Sequence, residues 1–348
     1  MDLQMETRTE RSTKPLRIGV LGAARICPSA LIEPARRSGE VRVTAIAARD
    51  RQRAAAFAEQ HGISRVYDSY ERVVSDPDVD AIYNPLPNGV HGYWSLAALR
   101  AGKDVLCEKP FCANEPEARR MVTAADRAGR VLMEAFHYFY HPLTQRWRDL
   151  LAAGAIGEPT RLRAQFRTSI PQHDVRYRVE HAGGALMDLG CYCVHATRWA
   201  FGEELQVQSA TAQEGPPGID VKMDVELVTA SGKTAHLGCD MGLASGFEAA
   251  LLVEGTTGVL RVENPFLAHL GHRLHVDGVV QVDEEVRGDP TYDYQLRAFV
   301  AAVRSRQAPA TGGSDAAATM NVIDAAYAAA GLEPRQPTHP MTEGDCPG

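Results

Sequence analysis

The first 135 residues alternate between short apolar segments and helical segments, and this alternation constrains the fold more than any other feature of the chain. Because strands that alternate with helices build a parallel sheet with right-handed crossovers, the pattern predicts an α/β domain. The six predicted strands are the number in a complete doubly wound dinucleotide-binding (Rossmann) fold. They are Leu16–Leu21, Val41–Ala47, Arg65–Tyr67, a strand within Asp76–Ile82, Asp104–Cys107 and Val131–Ala135. We therefore assign residues 16–137 to an N-terminal Rossmann domain.

The rest of the chain has a different pattern, in which strands follow one another without long helices between them. The predicted strands are Arg161–Thr168, Leu205–Ala212, Val221–Thr229, Thr234–Met241, Ala249–Glu254, Gly258–Val262 and Val279–Val282, and the predicted helices are Pro142–Ala153, Ala185–Phe201, Tyr292–Ser305 and Ser314–Ala330. The first of these strands alternates apolar with polar residues, which is typical of a half-buried antiparallel strand. We therefore predict an α+β domain over residues 138–334, built on a largely antiparallel sheet with one open face. Residues 1–15 are predicted to be a disordered tail and residues 335–348 a loose C-terminal tail.

The composition argues against several classes of function. The chain has 348 residues, enough for two domains, and its net charge of −7 argues against nucleic acid or an acidic membrane as the main partner. No apolar run approaches the ~20 residues that span a bilayer, and the polar N-terminus lacks the apolar region of a signal peptide. The seven cysteines form no CxxC pair and the twelve histidines form no HxxxH or HExxH pattern. We therefore expect reduced thiols, a cytoplasmic location and no bound metal.

The turn after the first predicted strand occupies the place of a dinucleotide-binding turn. Of the three glycines in the usual GxGxxG pattern only Gly22 remains, and Ala24 and Cys27 take the other two positions. Small side chains still let backbone N–H groups approach a pyrophosphate at a helix N-terminus. We predict cofactor contacts for Gly22, Ala24, Arg25 and Ile26. A plain strand–turn–helix connection is the alternative.

The end of the second predicted strand carries information on the cofactor. A carboxylate at this place would hold the ribose 2′-hydroxyl of NAD, whereas an arginine suits the 2′-phosphate of NADP. The sequence here is Ala48-Arg49-Asp50. We favour NADP through Arg49, with NAD possible because Asp50 follows directly. The alternative interpretation of Arg49 is a solvated arginine at the start of a helix.

The apolar strand Asp104–Cys107 ends abruptly at Glu108-Lys109-Pro110. Ligands of open α/β sheets bind at the carboxyl ends of the strands. The proline restricts Lys109 to an extended conformation, and the bond between them is a candidate cis peptide. A charged pair held at this edge is therefore a candidate for chemistry. A surface turn with a chance Glu-Lys pair is the alternative.

A glycine-rich segment later in the chain carries a second group of candidates. After Gly183 and Gly184, a helix would place Asp188, Tyr192 and His195 at positions i, i+4 and i+7, on one face. Such groups exchange protons with a hydroxyl or carbonyl. We expect a nearby Lys109 ammonium and an oxidised nicotinamide to stabilise the Tyr192 phenolate. The alternative is a buried tyrosine that is hydrogen-bonded to an aspartate in a packed helix.

Together, the motifs resemble those of the Gfo/Idh/MocA oxidoreductase family from about residue 16 to residue 332. The matching pieces are residues 22–26, 84–91, 108–110, 134–136, 141–142, 183–192, Tyr294 with Phe299, and 320–324. Tyrosine at position 192 resembles the branch that contains glucose-fructose oxidoreductase, NADP-dependent xylose dehydrogenase and dihydrodiol dehydrogenase.

The resemblance implies hydride transfer between a nicotinamide cofactor and a sugar, cyclic polyol or trans-dihydrodiol. Lys109 and Tyr192 would handle the hydroxyl proton, and Asp188 would orient the substrate and tune the pair. Implied cofactor contacts are Asn84, Pro85, Leu86, Asn88, His91, Glu108 and Lys109. Candidate substrate contacts are Phe136, Tyr138, Asp174, Arg176 and His195. A solvated loop is the alternative for Asp174 and Arg176, and a structural role is the alternative for His195.

One position departs from the family pattern, since Phe139 stands where this branch usually carries an arginine. Its presence favours a less polar substrate than a sugar, or a weakened enzyme. It also keeps open a second hypothesis, a non-catalytic dinucleotide-binding regulator of the same fold. Finally, an antiparallel sheet with one open face predicts a homodimer, or a dimer of dimers, in which those faces pack together.

Overall fold

Two β-sheets organise the protein, and the computed structural model describes residues 14–339. Residues 1–13 of the predicted N-terminal tail and residues 340–348 of the predicted C-terminal tail lie outside the described residues. Within the described range, no helix is long and apolar enough to cross a membrane. Nor do any three histidine, cysteine, aspartate or glutamate side chains in that range group closely enough to hold a metal ion.

The first sheet is parallel throughout, as its strand–helix alternation predicts. Its strands are β1 (Leu16–Leu21), β2 (Val41–Ala47), β3 (Arg65–Tyr67), β4 (Ala81–Asn84), β5 (Asp104–Cys107) and β6 (Leu132–Glu134). The helices that connect them are α1 (Glu33–Ser38, preceded by a π-helical turn at Pro28–Ile32), α2 (Arg51–His61), α3 (Tyr70–Val74), α4 (His91–Arg100) and α5 (Glu115–Ala128). The spatial order is β3-β2-β1-β4-β5-β6, which is the order of a complete Rossmann fold. The predicted fold of the N-terminal domain is therefore confirmed.

The second sheet has eight strands and is largely antiparallel, as predicted. Its strands are β7 (Pro159–Arg167), β8 (Leu205–Glu214), β9 (Asp220–Thr229), β10 (Thr234–Asp240), β11 (Glu248–Gly255), β12 (Val259–Glu263), β13 (Arg273–Asp277) and β14 (Gln281–Glu284). The accompanying helices are α6 (Pro142–Ala152), α7 (Cys191–Phe201, preceded by a π-helical turn at Leu186–Gly190), α8 (Thr291–Ser305) and α9 (Ser314–Ala329). The spatial order is β14-β13-β12-β11-β7-β10-β9-β8, and only the β7–β10 pair is parallel.

The second sheet buries one face and leaves the other open. On β7, Leu162, Ala164 and Phe166 are buried, as their alternation predicts, and α7 packs against this strand. The residues that alternate with them point to the other face, where Arg161 and Arg163 are exposed and Gln165 is half-buried. Strand β13 was not predicted from the sequence, because only Leu274 and Val276 alternate there between charged residues and histidine.

Helix α8 returns to the first sheet, although it lies in the second half of the sequence. Its residues Leu296 and Phe299 belong to the same buried cluster as Ile18 and Leu31. Arg37 Nη2 in α1 forms an ion pair of 2.5 Å with Asp293 Oδ1 in α8. Helix α8 therefore packs against the first domain as well as its own, and the predicted boundary between residues 137 and 138 stays a prediction.

The predicted loose tail is wrong for residues 335–339. Arg335 is buried, its Nη2 lies 2.6 Å from Asp220 Oδ1, and its Nε donates a hydrogen bond of 2.6 Å to the Gly183 carbonyl. Asn114 Nδ2 donates a 2.7 Å hydrogen bond to the Arg335 carbonyl, and the Thr338 amide donates one of 2.7 Å to the Gly89 carbonyl. This end of the chain joins the glycine-rich segment of the second domain to the first domain.

Candidate active site

A cleft of about 950 Å³ runs along the carboxyl edge of the first sheet and is closed on its far side by the second domain. Fourteen of the predicted site residues line it: Gly22, Ala24, Arg25, Ile26, Arg49, Pro85, Leu86, Asn88, Glu108, Lys109, Asp174, Arg176, Asp188 and Tyr192. Open α/β sheets bind ligands at this edge. The sequence therefore identified much of the wall, and five other predicted residues lie elsewhere.

The turn after β1 leaves its backbone open to the cleft. Gly22 has a φ of +95°, a conformation that side chains rarely adopt, and a Cβ there would lie 3.1 Å from Leu86 Cδ2. The following Ala24 and Ile26 are only half-buried, so backbone at this turn faces the open cleft. The turn leads through the π-helical turn at Pro28 into α1. This geometry fits a dinucleotide pyrophosphate, because nothing bulkier than a methyl group fills the approach at positions 22 to 24.

Two arginines face the cleft beside the end of β2. Arg49 is exposed there, and Arg53 lines the same wall while its Nη2 donates a 2.7 Å hydrogen bond to the Ala23 carbonyl. Asp50 is occupied as the N-cap of α2, since its Oδ1 accepts hydrogen bonds of 2.8 Å from the Gln52 amide and 3.3 Å from the Arg53 amide. The guanidinium groups, rather than the carboxylate, are therefore placed to meet a ligand at this end.

Two predicted cofactor residues, Asn84 and His91, are buried and do not line the cleft, so their contact with a cofactor stays a prediction. His91 Nδ1 lies 2.9 Å from the Pro110 carbonyl and its Nε2 lies 2.6 Å from the Leu86 carbonyl. Asn84 Nδ2 donates a 3.1 Å hydrogen bond to the His91 carbonyl. Both side chains turn inward because the backbone carbonyls of two neighbouring loops need partners there. Their role is to hold those loops in place.

The Glu108-Lys109-Pro110 segment enters the cleft at the end of β5. The Lys109–Pro110 peptide bond is cis. Glu108 Oε1 accepts a 2.8 Å hydrogen bond from the Tyr83 hydroxyl, and burial raises the pKa of the Glu108 carboxyl. Lys109 Nζ points the other way, across the cleft towards the second domain.

Asp188 is the partner that Lys109 meets. Lys109 Nζ donates hydrogen bonds of 2.7 Å to Asp188 Oδ1 and 2.8 Å to the Asp188 carbonyl, and Arg176 Nε forms an ion pair of 2.8 Å with Asp188 Oδ2. Arg176 also pairs with Asp174 at 3.0 Å, and Asp174 pairs with Arg25 Nη2 at 2.5 Å. Burial alone would raise the pKa of Asp188, but the charges of Arg176 and Lys109 outweigh it and hold that pKa below its usual range. The result is an alternating row of charges that joins the two domains.

Tyr192 lies beside this row, on the first turn of α7. Lys109 Nζ is 5.0 Å from the centre of the Tyr192 ring, and the Tyr192 hydroxyl lies 3.2 Å from His137 Nε2. Burial raises the pKa of the Tyr192 phenol well above its ordinary value. The predicted phenolate depends on an oxidised nicotinamide as well as on Lys109 and stays a prediction, since burial by itself favours the protonated phenol. In this arrangement Tyr192 is a protonated phenol that can donate to a neighbouring base.

Three predicted substrate residues, Phe136, Tyr138 and His195, are buried and do not line the cleft, so their contact with a substrate stays a prediction. His195 Nδ1 lies 2.6 Å from the Tyr138 hydroxyl, its Nε2 lies 3.1 Å from Asp315 Oδ2, and its ring stacks on Phe136 at 4.2 Å. His195 lies three residues after Tyr192 in α7, and its ring faces the interior rather than the cleft that Asp188 and Tyr192 line.

Phe139 does not line the cleft either. It is buried and packs against Trp199 with ring centres 4.7 Å apart, and the Arg148 guanidinium lies 5.0 Å from its ring. The position that departs from the family pattern therefore belongs to the support of the site, where an aromatic contact and a neighbouring cation replace the usual arginine.

Several cleft residues were missed in the sequence, namely His137, Phe166, Leu267 and Tyr292. His137 had a signal, since it is a histidine between aromatic residues directly after a strand of the first sheet. Tyr292 and Leu267 had none, because the first turn of α8 and a loop before Ala268 bring them to the cleft from far along the chain. They give the substrate end of the cleft a largely aromatic and apolar wall.

Comparison with known proteins gives matches to two family models. The oxidoreductase family with an NAD-binding Rossmann fold matches residues 16–136, and the GFO/IDH/MocA C-terminal domain matches residues 144–261.

Curated relatives match over most of the chain. D-xylose 1-dehydrogenase (NADP(+)) 2 of Haloferax volcanii is 35% identical over 90% of this chain and 96% of its own length. A dTDP-3,4-didehydro-2,6-dideoxy-alpha-D-glucose 3-reductase of Actinomadura kijaniata is 32% identical over 90% of this chain and 95% of its own. The trans-1,2-dihydrobenzene-1,2-diol dehydrogenase of Xenopus laevis is 36% identical over 63% of this chain and 66% of its own.

A solved structure extends the likeness to the whole fold. The crystal structure of a 3-ketoreductase from Actinomadura kijaniata in complex with NADP and TDP-benzene has a TM-score of 0.84 and 31% identity, and the match covers 91% of this chain and 98% of that chain. The expected family resemblance is confirmed by these matches.

Proposed function

Because the chain belongs to the Gfo/Idh/MocA family of NAD(P)-dependent oxidoreductases, we propose that it transfers a hydride between NADP(H) and a secondary alcohol or carbonyl carbon of a neutral small molecule. The candidate substrates are sugars, cyclic polyols and trans-dihydrodiols. The main support for the proposal is that Lys109 contacts both Asp188 and Tyr192 in the cleft at the carboxyl edge of the dinucleotide-binding sheet.

The three residues have separate roles in this proposal. The nicotinamide supplies the hydride chemistry when bound, and the protein supplies placement and proton exchange. Lys109 and Tyr192 bind the substrate oxygen and exchange its proton, because a protonated phenol and an ammonium are both donors to a developing negative charge. Asp188 holds the ammonium in position through its 2.7 Å contact.

The preference for NADP rests on the two arginines at the end of β2. Arg49 and Arg53 line the cleft there, while Asp50 caps its own helix. A guanidinium pairs well with a phosphate, and the dianionic 2′-phosphate would meet both. The naming of NADP for the xylose dehydrogenase and for the ketoreductase complex supports the same preference.

The preference for a neutral substrate rests on charge and on the walls. The two cations beside the reacting position, Lys109 and Arg176, already pair with Asp188. Phe166, Leu267 and Tyr292 supply apolar and aromatic surface to the same end of the cleft. This combination suits a ring with hydroxyl groups and little charge, as in a dihydrodiol or a small sugar, better than a charged substrate.

The regulator hypothesis is not favoured, since a protein that only binds the dinucleotide has no need of the paired lysine and tyrosine. A panel assay separates the two hypotheses. The protein is incubated with NADP+ and, in turn, with aldoses, cyclic polyols and trans-dihydrodiols, and NADPH formation is followed by absorbance. We expect turnover with at least one class. Tight NADP+ binding without turnover across the whole panel would favour the regulator.

We also propose a homodimer, or a dimer of dimers, formed through the open face of the second sheet. This face mixes half-buried apolar residues, such as Leu252 and Val228, with ion pairs, including Arg167–Glu248 at 2.7 Å. A face that carries separate apolar side chains among both charge signs can pair with its own copy about a twofold axis. Light scattering at micromolar concentration should give twice or four times the chain mass, and Leu252→Lys should shift it to the monomer. A wild-type monomer contradicts this proposal.

A cytoplasmic location completes the proposal. The six cysteines among the described residues are free thiols and buried. Unpaired thiols in these numbers are typical of proteins from reducing compartments.

A further inference from the structure

A continuous row of hydrogen-bonding groups leads from Tyr192 away from the cleft. The Tyr192 hydroxyl lies 3.2 Å from His137 Nε2. On the other side of the same imidazole, His137 Nδ1 lies 2.9 Å from Thr291 Oγ1. Thr291 Oγ1 in turn lies 3.0 Å from His269 Nδ1. Each of these distances lies within hydrogen-bonding range.

The row crosses the protein wall. Tyr192 and His137 line the cleft, although little of either is exposed, and the Thr291 side chain is fully buried at the start of α8. His269, at the other end, is exposed at the surface on the short helical turn Ala268–Leu270. The row therefore connects a buried phenol with bulk water through two groups that are shielded from it.

The donors and acceptors along the row can all point in one direction. If the Tyr192 hydroxyl donates to His137 Nε2, then His137 carries its proton on Nδ1 and donates it to Thr291. The Thr291 hydroxyl then donates to His269 Nδ1, and His269 carries its proton on Nε2, towards solvent. In the reverse orientation His269 Nδ1 donates to Thr291, Thr291 donates to His137 Nδ1, and His137 Nε2 donates to the Tyr192 oxygen. Both need neutral imidazoles, since a neutral ring has one donor and one acceptor.

We propose that His137, Thr291 and His269 form a proton relay that carries the proton of the substrate hydroxyl between Tyr192 and solvent. The proposal rests on the oxidoreductase function proposed above. During alcohol oxidation the substrate O–H bond breaks and its proton passes to the Tyr192 oxygen. Tyr192 gives its own proton to His137 Nε2, His137 Nδ1 gives one to Thr291, and Thr291 gives one to His269 Nδ1. His269 Nε2 releases one to water, so no member of the relay gains charge.

The burial of Tyr192 and His137 favours transfer of the proton along this path over charge left on Tyr192. Burial raises the pKa of the Tyr192 phenol, so this residue is a poor place to leave a negative charge after it gives up a proton. Burial also lowers the pKa of His137 well below its ordinary value, which keeps the ring neutral and able to accept and donate together. The groups that face the relay from neighbouring elements are Lys109, Glu108, Asp188, Tyr292 and His141.

The first test removes single links and follows alcohol oxidation with NADP+. Thr291→Val keeps the shape of the side chain and removes the hydroxyl, whereas Thr291→Ser keeps the hydroxyl. His269→Asn keeps a hydrogen-bond acceptor but no titrating group, and exposed His275→Asn on β13 is the matched control. We expect Thr291→Val and His269→Asn to lower kcat by about tenfold or more, with KM for both substrates within about twofold, because positioned proton transfer acts on the chemical step. Thr291→Ser and His275→Asn should stay near the wild type.

Dependence on pH separates a relay from a structural role. Wild-type oxidation should lose rate as pH falls through the pKa of His269, which burial holds below its ordinary value of about 6.5, because a protonated Nδ1 cannot accept from Thr291. His269→Asn should lack this loss, and added imidazole should restore part of its rate. Wild-type kcat and pH dependence in both Thr291→Val and His269→Asn would overturn the relay, as would failure of Thr291→Ser to restore activity.

A second test needs no turnover. Nitrogen NMR of ¹⁵N-histidine-labelled protein reports which ring nitrogen carries the proton, and the His137→Gln and His269→Asn variants assign the two signals. Either orientation of the relay requires that only one of these two rings is protonated on Nδ1. If both rings or neither ring carries the Nδ1 proton, the relay is wrong even where the enzyme turns over. If no alcohol is oxidised, the proposed function fails, and the tautomers still decide the relay.

Discussion

The ammonium of Lys109 lies 5.0 Å from the ring centre of Tyr192, although Lys109 follows β5 of the first sheet and Tyr192 lies in the first turn of α7 beside the second sheet. Asp188 fixes this relationship, because its carboxylate accepts a 2.7 Å hydrogen bond from Lys109 Nζ one turn before Tyr192. The reacting end of the cleft is therefore built from both halves of the chain. Each prediction below tests one part of that construction.

Asp188→Asn should lower the free energy of unfolding of the protein as well as its activity. The substitution removes the buried carboxylate that Lys109 and Arg176 share, while Arg176 keeps its pair with Asp174. Because both cations are partly exposed, we expect a loss of about 3 kcal/mol, at the lower end of the cost of breaking a buried ion pair from one side. Urea unfolding at pH 7 measures the loss. Asp224→Asn is the control, since its half-exposed pair with Lys222 at 3.3 Å should matter by less than about 1 kcal/mol. Equal small losses in both variants contradict the prediction.

The stability difference between the wild type and Asp188→Asn should also depend on pH. The folded-state pKa of Asp188 lies below its ordinary value, so its contribution to stability is present above the unfolded-state pKa of about 3.9 and is lost as pH falls below it. The difference in unfolding free energy between the wild type and Asp188→Asn should therefore shrink as acid is added. A difference that stays constant from neutral pH to the acid limit of folding rules out this linkage.

Arg49→Ala should weaken the binding of NADPH more than the binding of NADH. Loss of one guanidinium–phosphate contact costs about 1.5–3 kcal/mol, which is roughly tenfold or more in affinity, while NADH lacks the 2′-phosphate. Titration calorimetry with both cofactors measures the ratio. Arg42→Ala is the control, because Arg42 is exposed on β2, the strand that Arg49 follows, but does not line the cleft. An equal loss for NADPH and NADH would place the 2′-phosphate away from Arg49.

Truncation should separate the two parts of the C-terminal segment. A chain that ends after Pro334 lacks Arg335, whose guanidinium pairs at 2.6 Å with the buried Asp220. An unpaired buried carboxylate should cost about 3–5 kcal/mol of unfolding free energy. A chain that ends after His339 keeps the anchor and should unfold like the wild type in the same denaturant titration. If both truncated chains are as stable as the full chain, the anchor contributes nothing.

The sequence predicts the first sheet well, because its strands are buried on both faces and read as continuous apolar runs. The phosphate-side turn at Gly22 and the Lys109 segment also follow from it, since both directly follow such runs. Strand β13 was missed because alternation with charged residues leaves too short an apolar pattern. Long-range anchors such as Arg335 leave no local pattern at all.

The candidate site, like the fold, could be predicted in part from the sequence. The family resemblance suggested His91 as a cofactor contact, and Tyr138 and His195 were candidate substrate contacts, but tertiary packing turns these side chains towards carbonyl, imidazole and carboxylate groups inside the protein. The same packing brings His137 to the Tyr192 hydroxyl, a contact between distant segments. Residues whose side chains can take part in catalysis can therefore be found in the sequence. Whether such a side chain faces the cleft or packs behind it depends on the tertiary structure.

The measurement that tests the account most directly compares Lys109→Met and Tyr192→Phe with the wild type, in both turnover of an accepted alcohol and NADPH binding. Both changes remove a proton-exchanging group and keep most of the side-chain volume. We expect each to lower kcat by about 100-fold or more while the NADPH dissociation constant stays within about threefold, because the lost contacts act on the reacting oxygen. Wild-type turnover in either variant would contradict the central role of the Lys109–Tyr192 pair.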